Sequence, residues 1–188
     1  MKNQRLFDTA TMVTIALVAL TRLIPHWPNF TPVMAIALMG GAMFSDRMRA
    51  LIVPIAAMVL SDLALGLVMG SEYVLHGAQP WVYGCVIGIS LFGHAIRSWR
   101  PTALILGGGT ISAVAFFLIT NFAVWLGGGM YPMSVDGLIA CYAAGLAFYR
   151  DGGNFLINAV VSTVLGAFLI HSSIKVVSVA TQNRPVGS

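Results

Sequence analysis

Residues 102–126 read TALILGGGTISAVAFFLITNFAVWL, and this stretch decides the fold. It holds no charged side chain, and its length exceeds the roughly 20 apolar residues that cross a bilayer as one helix. No period-2 alternation with turn signals runs through it or its neighbours, which sets aside an outer-membrane barrel. The rest of the 188-residue chain is similar: 58% is hydrophobic and 9% charged, where a soluble domain carries about 25% charged residues. Lipid is therefore the expected solvent for most of the surface. Intrinsic disorder, nucleic-acid binding and a disulfide-stapled secreted domain are disfavoured together, since each needs charge or cysteine that is absent.

Apolar runs broken by Pro, Gly and charge predict an all-α integral membrane bundle of six transmembrane helices: Thr9 to Ile24, Pro32 to Phe44, Ala50 to Met69, Pro80 to Ile96, Thr102 to Leu126 and Phe155 to Val176. The second run is too short to cross as a straight lipid-exposed helix, so it is expected to be tilted, irregular or buried among its neighbours. A weaker run, Ser134 to Tyr149, predicts a re-entrant or interfacial helix between spans five and six. The bundle forms a single domain over residues 1–179, with a polar tail over 180–188.

Lys and Arg in short loops stay on the cytoplasmic side. An inside N-terminus puts Lys2, Arg5, Arg47, Arg49, Arg97, Arg100, Lys175 and Arg184 in the cytoplasm and leaves Arg22 and Arg150 outside. A crossing by Ser134 to Tyr149 would move Lys175 and Arg184 out to bring Arg150 in, so both termini are expected to be cytoplasmic. Lys2 and Arg5 ahead of an apolar core resemble a secretory signal. Arg22, Pro25, His26 and Trp27 follow, however, where a cleavage site needs small residues, so the first helix is read as retained.

On the outer side this orientation gathers Arg22, His26, Trp27, Asn29, Phe30, Asp62, Glu72, Tyr73, His76, Trp81, Tyr83, Cys85, Asn121, Trp125, Tyr131, Asp136, Tyr142, Arg150 and Asn154. The cytoplasmic side has Trp99 as its one tryptophan. An aromatic belt would line both interfaces; the asymmetry instead reads as an outward pocket with a few polar groups in an aromatic wall. Its expected walls are Trp27, Phe30, Trp81, Tyr83, Trp125 and Tyr131, with Asp62, Asn121 and Arg150 orienting polar groups, and Arg22 and Tyr142 as further contacts. An ionised Asp62 inside a span costs about 2.5–3.5 kcal/mol on insertion scales and needs a partner. Arg22 and Arg150 are available, either for a structural ion pair or for ligand contact.

Cys85 and Cys141 read either as small buried apolar residues or, for Cys85 above all, as a soft ligand facing the pocket and suited to a corrinoid cobalt. His94 and His171 on facing helices could hold a haem. Small residues four apart, Ala37 with Gly41, Gly84 with Gly88 and Gly108 with Ser112, let helix backbones approach closely. Gly107-Gly108-Gly109-Thr110 lacks the lysine of a phosphate loop, so ATP-driven work would need another polypeptide. No Gly-x-Ser-x-Gly elbow or His-Glu-x-x-His pair offers hydrolase chemistry.

The segments Arg22-Leu-Ile-Pro-His-Trp-Pro-Asn-Phe-Thr-Pro, Ala35-Ile-Ala-Leu with Gly40-Gly-Ala, Phe116-Phe117 with Thr120-Asn121-Phe122-Ala-Val-Trp125-Leu, Tyr131-Pro132, and Gly137-Leu138 with Cys141-Tyr142 resemble a family of uncharacterised small bacterial membrane proteins. That family is similar to the substrate-binding S components of energy-coupling factor (ECF) transporters. The resemblance implies a multi-pass protein of the bacterial inner membrane that binds a small vitamin-type ligand from outside, with no cofactor required. The Ala-x-x-x-Ala signature by which S components dock on an ECF module is replaced by Ala10-x-x-x-Thr14 and Ala16-x-x-x-Leu20, so a solitary component is expected. One similar solitary class takes up cobalamin through a cysteine thiolate, which makes cobalamin the first expected ligand, with Cys85 as its cobalt ligand; flavin, biotin, a thiamine precursor and a metal ion are the alternatives. The rival expectations are a haem-binding redox protein and a structural subunit of a membrane complex.

Overall fold

The structure, a computed structural model, describes residues 2–71, 74, 77–147 and 153–182. Regular structure in these residues is entirely helical. Helix α1 (Lys2–Leu20) ends in a 3₁₀ turn, Thr21–Leu23. It is followed by α2 (Val33–Met43), α3 (Arg47–Met69) and α4 (Gln79–Ala95). Helix α5 begins with a π-helical stretch (Ala103–Gly108) and continues as Gly109–Leu126; α6 is Val135–Leu146 and α7 is Phe155–Gln182.

Four segments are long and apolar enough to cross a membrane: Gln4–Leu23, Arg47–Met69, Ala103–Leu126 and Phe155–Ala180. Two of the six expected spans are shorter than a full crossing, α4 with 17 residues and α2 with 11. Helix ends also differ from the apolar runs, for local reasons. Helix α1 starts at Lys2 rather than Thr9 because Gln4 Nε2 donates to Asp8 Oδ1 (2.8 Å) one turn on, and Asp8 pairs with Arg49. Helix α3 starts at Arg47 rather than Ala50 because the Asp46 carboxylate caps it, accepting from Arg49 N (2.9 Å). Helix α7 runs past Val176 to Gln182, into the segment expected as a tail from residue 180, since no helix breaker precedes Pro185.

The arrangement is a ring around a post. Helices α1, α3, α4, α5 and α7 pack in that order, each against the next and α7 back against α1, and all five touch α2 at the centre. Val33 through Gly41 of α2 are all buried. A helix that is apolar all round can face lipid or the inside of a bundle; α2 is inside, and because its backbone bonds are satisfied within the helix, enclosure costs it nothing in lost hydrogen bonds.

Glycines make the enclosure tight. A Cβ on Gly41 would stand 2.1 Å from the Ser90 carbonyl oxygen, one on Gly93 would stand 2.3 Å from that of Leu38, and one on Gly40 would meet the Pro54 ring at 2.4 Å. Gly166 of α7 approaches Ala35 in the same way, at 2.7 Å. Of the spaced-four pairs in the sequence, Ala37–Gly41 and Gly108–Ser112 are buried inside the bundle. Gly84 and Gly88 face outward with no atom within 4 Å of an added Cβ.

Helix α6 lies outside the ring. Ser134 caps it, its Oγ accepting from Gly137 N (3.1 Å), and Gly128 and Gly129, both at positive φ, help reverse the chain before it. It runs back along the terminal half of α5: Cys141 Sγ donates to Asn121 O (3.3 Å), Tyr142 OH donates to Leu118 O (2.8 Å), and Gly145 abuts Phe117. It stops there, where Asn154 Nδ2 donates to Leu146 O (2.6 Å) ahead of α7.

This packing predicts that Gly93→Ala, which must push backbone from backbone, lowers stability by at least about 1–3 kcal/mol. Gly88→Ala changes it by no more than about 0.5 kcal/mol. Tryptophan-fluorescence melting of the two variants in detergent checks the difference.

Candidate functional site

Every helix of the ring is longer than the post it surrounds. Beyond Val33, where α2 begins, the ring encloses space that no central helix fills. A cavity of about 540 Å³ opens there, within the roughly 300–1,000 Å³ usual for small-molecule sites. Val33 lies at its base. The α1–α2 connection contributes Arg22, His26, Asn29 and Thr31; α3 contributes Met58 and Leu65, α4 Gln79 and Val82, α5 Phe116, Thr120 and Asn121, and the start of α7 Phe155. The connection is tied down from α7, where Asn158 Nδ2 donates to Pro28 O (2.9 Å) and Ser162 Oγ to Asn29 O (3.4 Å). Asn29 takes φ 59°, a left-handed turn that asparagine tolerates.

Behind this wall lies a buried polar network. Arg22 Nη1 meets Asp62 Oδ1 at 2.6 Å, with side chains 13% and 5% exposed. Asp62 Oδ2 accepts from Gln79 Nε2 (2.6 Å) and from Tyr83 OH (2.8 Å). The Ser61 hydroxyl accepts from Arg22 Nη1 and donates to Met58 O (3.0 Å). A carboxylate with three donors, one of them cationic, is the arrangement that makes a buried charge tolerable. Asp62 therefore has its expected partner, Arg22, and stands behind the cavity wall rather than on it.

The structure brings Arg22 and Asn121 to the cavity as the sequence suggests. Asn121 is braced by its own Nδ2, which donates to Phe117 O (2.8 Å). The aromatic residues differ from expectation. Trp27 is 61% exposed and packs edge-on against Phe30, their ring centroids 6.2 Å apart, away from the cavity. Trp81 and Trp125 flank Phe122, with centroids at 6.3 and 5.4 Å, and the Trp125 indole N–H donates to Pro132 O (3.0 Å). This cluster braces the turn beside the cavity. Tyr83 serves Asp62, Tyr131 sits in the α5–α6 turn, and Tyr142 holds α6 on α5. Arg150, Glu72, Tyr73 and His76 lie outside the described residues.

Cys85 is 4% exposed inside the apolar core, packed with the α2 residues and absent from the cavity wall. The cavity thus lacks the thiolate expected for a corrinoid cobalt. The reason is register: Tyr83 turns toward Asp62, and two residues on, about 200° around the helix, Cys85 turns toward α2. Cys141 is likewise buried, against α5. His94 is on α4 and His171 on α7, two helices that both pack on α2 and α5. Each ring buries an Nδ1 that has no hydrogen-bond partner among the described residues.

Gln79, Thr120 and Met58 border the cavity beyond the residues expected from the sequence. Gln79 had a usable signal, since Gln79 and Tyr83 are four apart and share one face of α4. Thr120 stands next to Asn121, and that both border the cavity is decided by how α5 is rotated.

Residues 2–183 match the family of unknown function DUF6580. No curated protein matches the chain, and no solved structure does.

Removing one member of a buried ion pair strands the other, at a cost of about 3–5 kcal/mol, whereas replacing both with apolar side chains is often close to neutral. Asp62→Ala is therefore expected to lower the melting temperature in detergent strongly, and the double variant Arg22→Met/Asp62→Leu to recover most of the loss. Tyr83→Phe, which removes one hydrogen bond to a charged group, should cost about 1.5–3 kcal/mol.

Proposed function

The chain is a member of this family of unknown function, and we propose that it is a six-crossing membrane protein that binds a small ligand from outside the cell and carries it inward, in the manner of an S component. The observation that carries this reading is the cavity at the end of the bundle where α2, α4 and α7 begin. The basic residues Arg5, Arg47, Arg49, Arg97, Arg100 and Lys175 gather by helix direction at the other end. There Arg49 pairs with Asp8, and Arg97 Nη1 donates to Ser45 O (3.0 Å). By the rule that retains basic loops inside, the cavity faces outward and the termini are cytoplasmic.

The two short helices fit six crossings because of where they sit. Helix α2, 11 residues or about 16 Å long, is walled on all sides by protein, so its ends need not reach the headgroups. Helix α4 closes the ring beside it. Helix α6, stopping halfway along α5, adds no crossing. A ligand in the cavity would rest against apolar side chains and meet a few polar ones, the composition usual for a binding site rather than a channel. Inward passage would require Arg22, Met58 and Val33 to part from beneath it. The ligand class favoured is a small organic micronutrient. Cobalamin is disfavoured by the burial of Cys85 and by the size of the cavity.

Two experiments test this. Alkaline phosphatase fused after Gly129 should be active, and green fluorescent protein fused to the C-terminus should fluoresce; the reverse pattern would invert the bundle and refute uptake. Protein purified from native membranes in mild detergent should carry a small molecule detectable by native mass spectrometry. Thr120→Trp, which fills the cavity, should lose that molecule while melting within about 1 kcal/mol of the parent, as a surface-like change does. Retention of the molecule in this variant would put binding elsewhere.

A further inference from the structure

The cavity has a definite charge character. Among the described residues its wall holds no carboxylate and one guanidinium, Arg22, whose charge is matched by Asp62 at 2.6 Å; the imidazole of His26 is also on the wall. Asp62 itself is 5% exposed, turned away from the cavity, and occupied by three donors. Arg22 makes its bonds through Nη1, to Asp62, Ser61 and the Met58 sulfur (3.3 Å). Its remaining N–H groups have no partner among the described residues. Toward the cavity the pair thus presents the positive end of a neutral dipole.

Gln79 and Thr120, two other polar wall groups, are uncharged and partly engaged. Gln79 has given its N–H to Asp62 and keeps its carbonyl oxygen. The Thr120 hydroxyl donates to Phe116 O (2.8 Å) and can still accept. Thr31 also belongs to the wall, but its Oγ1 is closed off from the cavity space and has no hydrogen-bond partner among the described residues.

We infer that the cavity selects a ligand of no net charge, an apolar body carrying a hydrogen-bond acceptor, such as a carbonyl, amide or ring nitrogen, that meets the free N–H groups of Arg22. This deepens the uptake reading and rests on it. An anion entering here would share Arg22 with Asp62 and leave one excess negative charge in a low-dielectric interior. A cation would face no carboxylate among the described wall residues. Either costs several kcal/mol that a neutral acceptor avoids.

The test uses the full chain in detergent with Thr120→Cys as reporter, treated with three methanethiosulfonates: hydroxyethyl (neutral), sulfonatoethyl (anionic) and aminoethyl (cationic). Modification of residue 120 is followed by peptide mass spectrometry, which separates it from Cys85 and Cys141, and each rate is divided by that for a small thiol free in solution. The neutral reagent is expected to react at least about tenfold faster than both charged ones, the ratio that 1.4 kcal/mol of exclusion produces. An anionic rate equal to or above the neutral one overturns the inference in favour of an anion site, and a cationic rate equal to or above it does so in favour of a cation site. In either case the uptake reading stands. If none of the three reaches residue 120 at more than about a hundredth of the rate at an exposed Thr102→Cys control, a ratio worth about 2.8 kcal/mol, the cavity is closed and the uptake reading fails with the inference. Adding Asp62→Asn to the reporter frees Arg22 and should raise the anionic rate by about tenfold; an unchanged rate would show that the ion pair does not set the selectivity.

Discussion

Enclosure of α2 is the condition on which the rest of the structure depends. An 11-residue apolar helix cannot cross a bilayer alone, and its last turn would offer lipid unsatisfied carbonyls. Five longer helices surround it and remove the problem. The approach that allows this is backbone to backbone, at Gly41 with Ser90 and Gly93 with Leu38, and backbone to ring at Gly40 with Pro54. In lipid there is little hydrophobic drive to bring helices together, so this close van der Waals packing has to supply the association.

The same shortness makes the cavity. A post as long as its ring would fill the bundle from end to end. Because α2 begins only at Val33, the chain from Thr21 to Pro32 must cover the gap as an irregular connection. It does so with a 3₁₀ turn, a left-handed Asn29 and side-chain bonds to α7. Irregular backbone at this depth is tolerated where it lines a cavity or is buried in protein. The Arg22–Asp62–Tyr83–Gln79 network links the connection to α3 and α4 at that level, so the base of the cavity and the lock on these helices are one assembly.

How much of this could be read from residues alone varies with the question. The helical class and most helix positions follow from apolar runs, because in lipid those runs have few alternative structures. The Arg22–Asp62 pair was also legible, since a carboxylate in a span needs a cation and few exist. The aromatic residues misled. Trp27, Trp81 and Trp125 stand near the cavity end, but they brace turns and face outward, because depth along a helix says nothing about rotation around it. Cys85 failed for the same reason: two residues from Tyr83, it faces nearly the opposite way. Gln79 and Tyr83 show the converse, that four-residue spacing does report a shared face.

By itself, the sequence determined the apolar solvent, the helices, their order, the basic end and the abnormal shortness of the second run. These are local properties, set by composition and by distance along one chain. The tertiary structure alone decided that the short helix is the central post, that the ring closes as α1–α3–α4–α5–α7, and that the unfilled space beyond Val33 is walled by Arg22, Thr31, Gln79, Thr120 and Asn121. Those outcomes depend on which face each helix turns inward, and that rotation is fixed by glycine contacts between segments far apart in the chain.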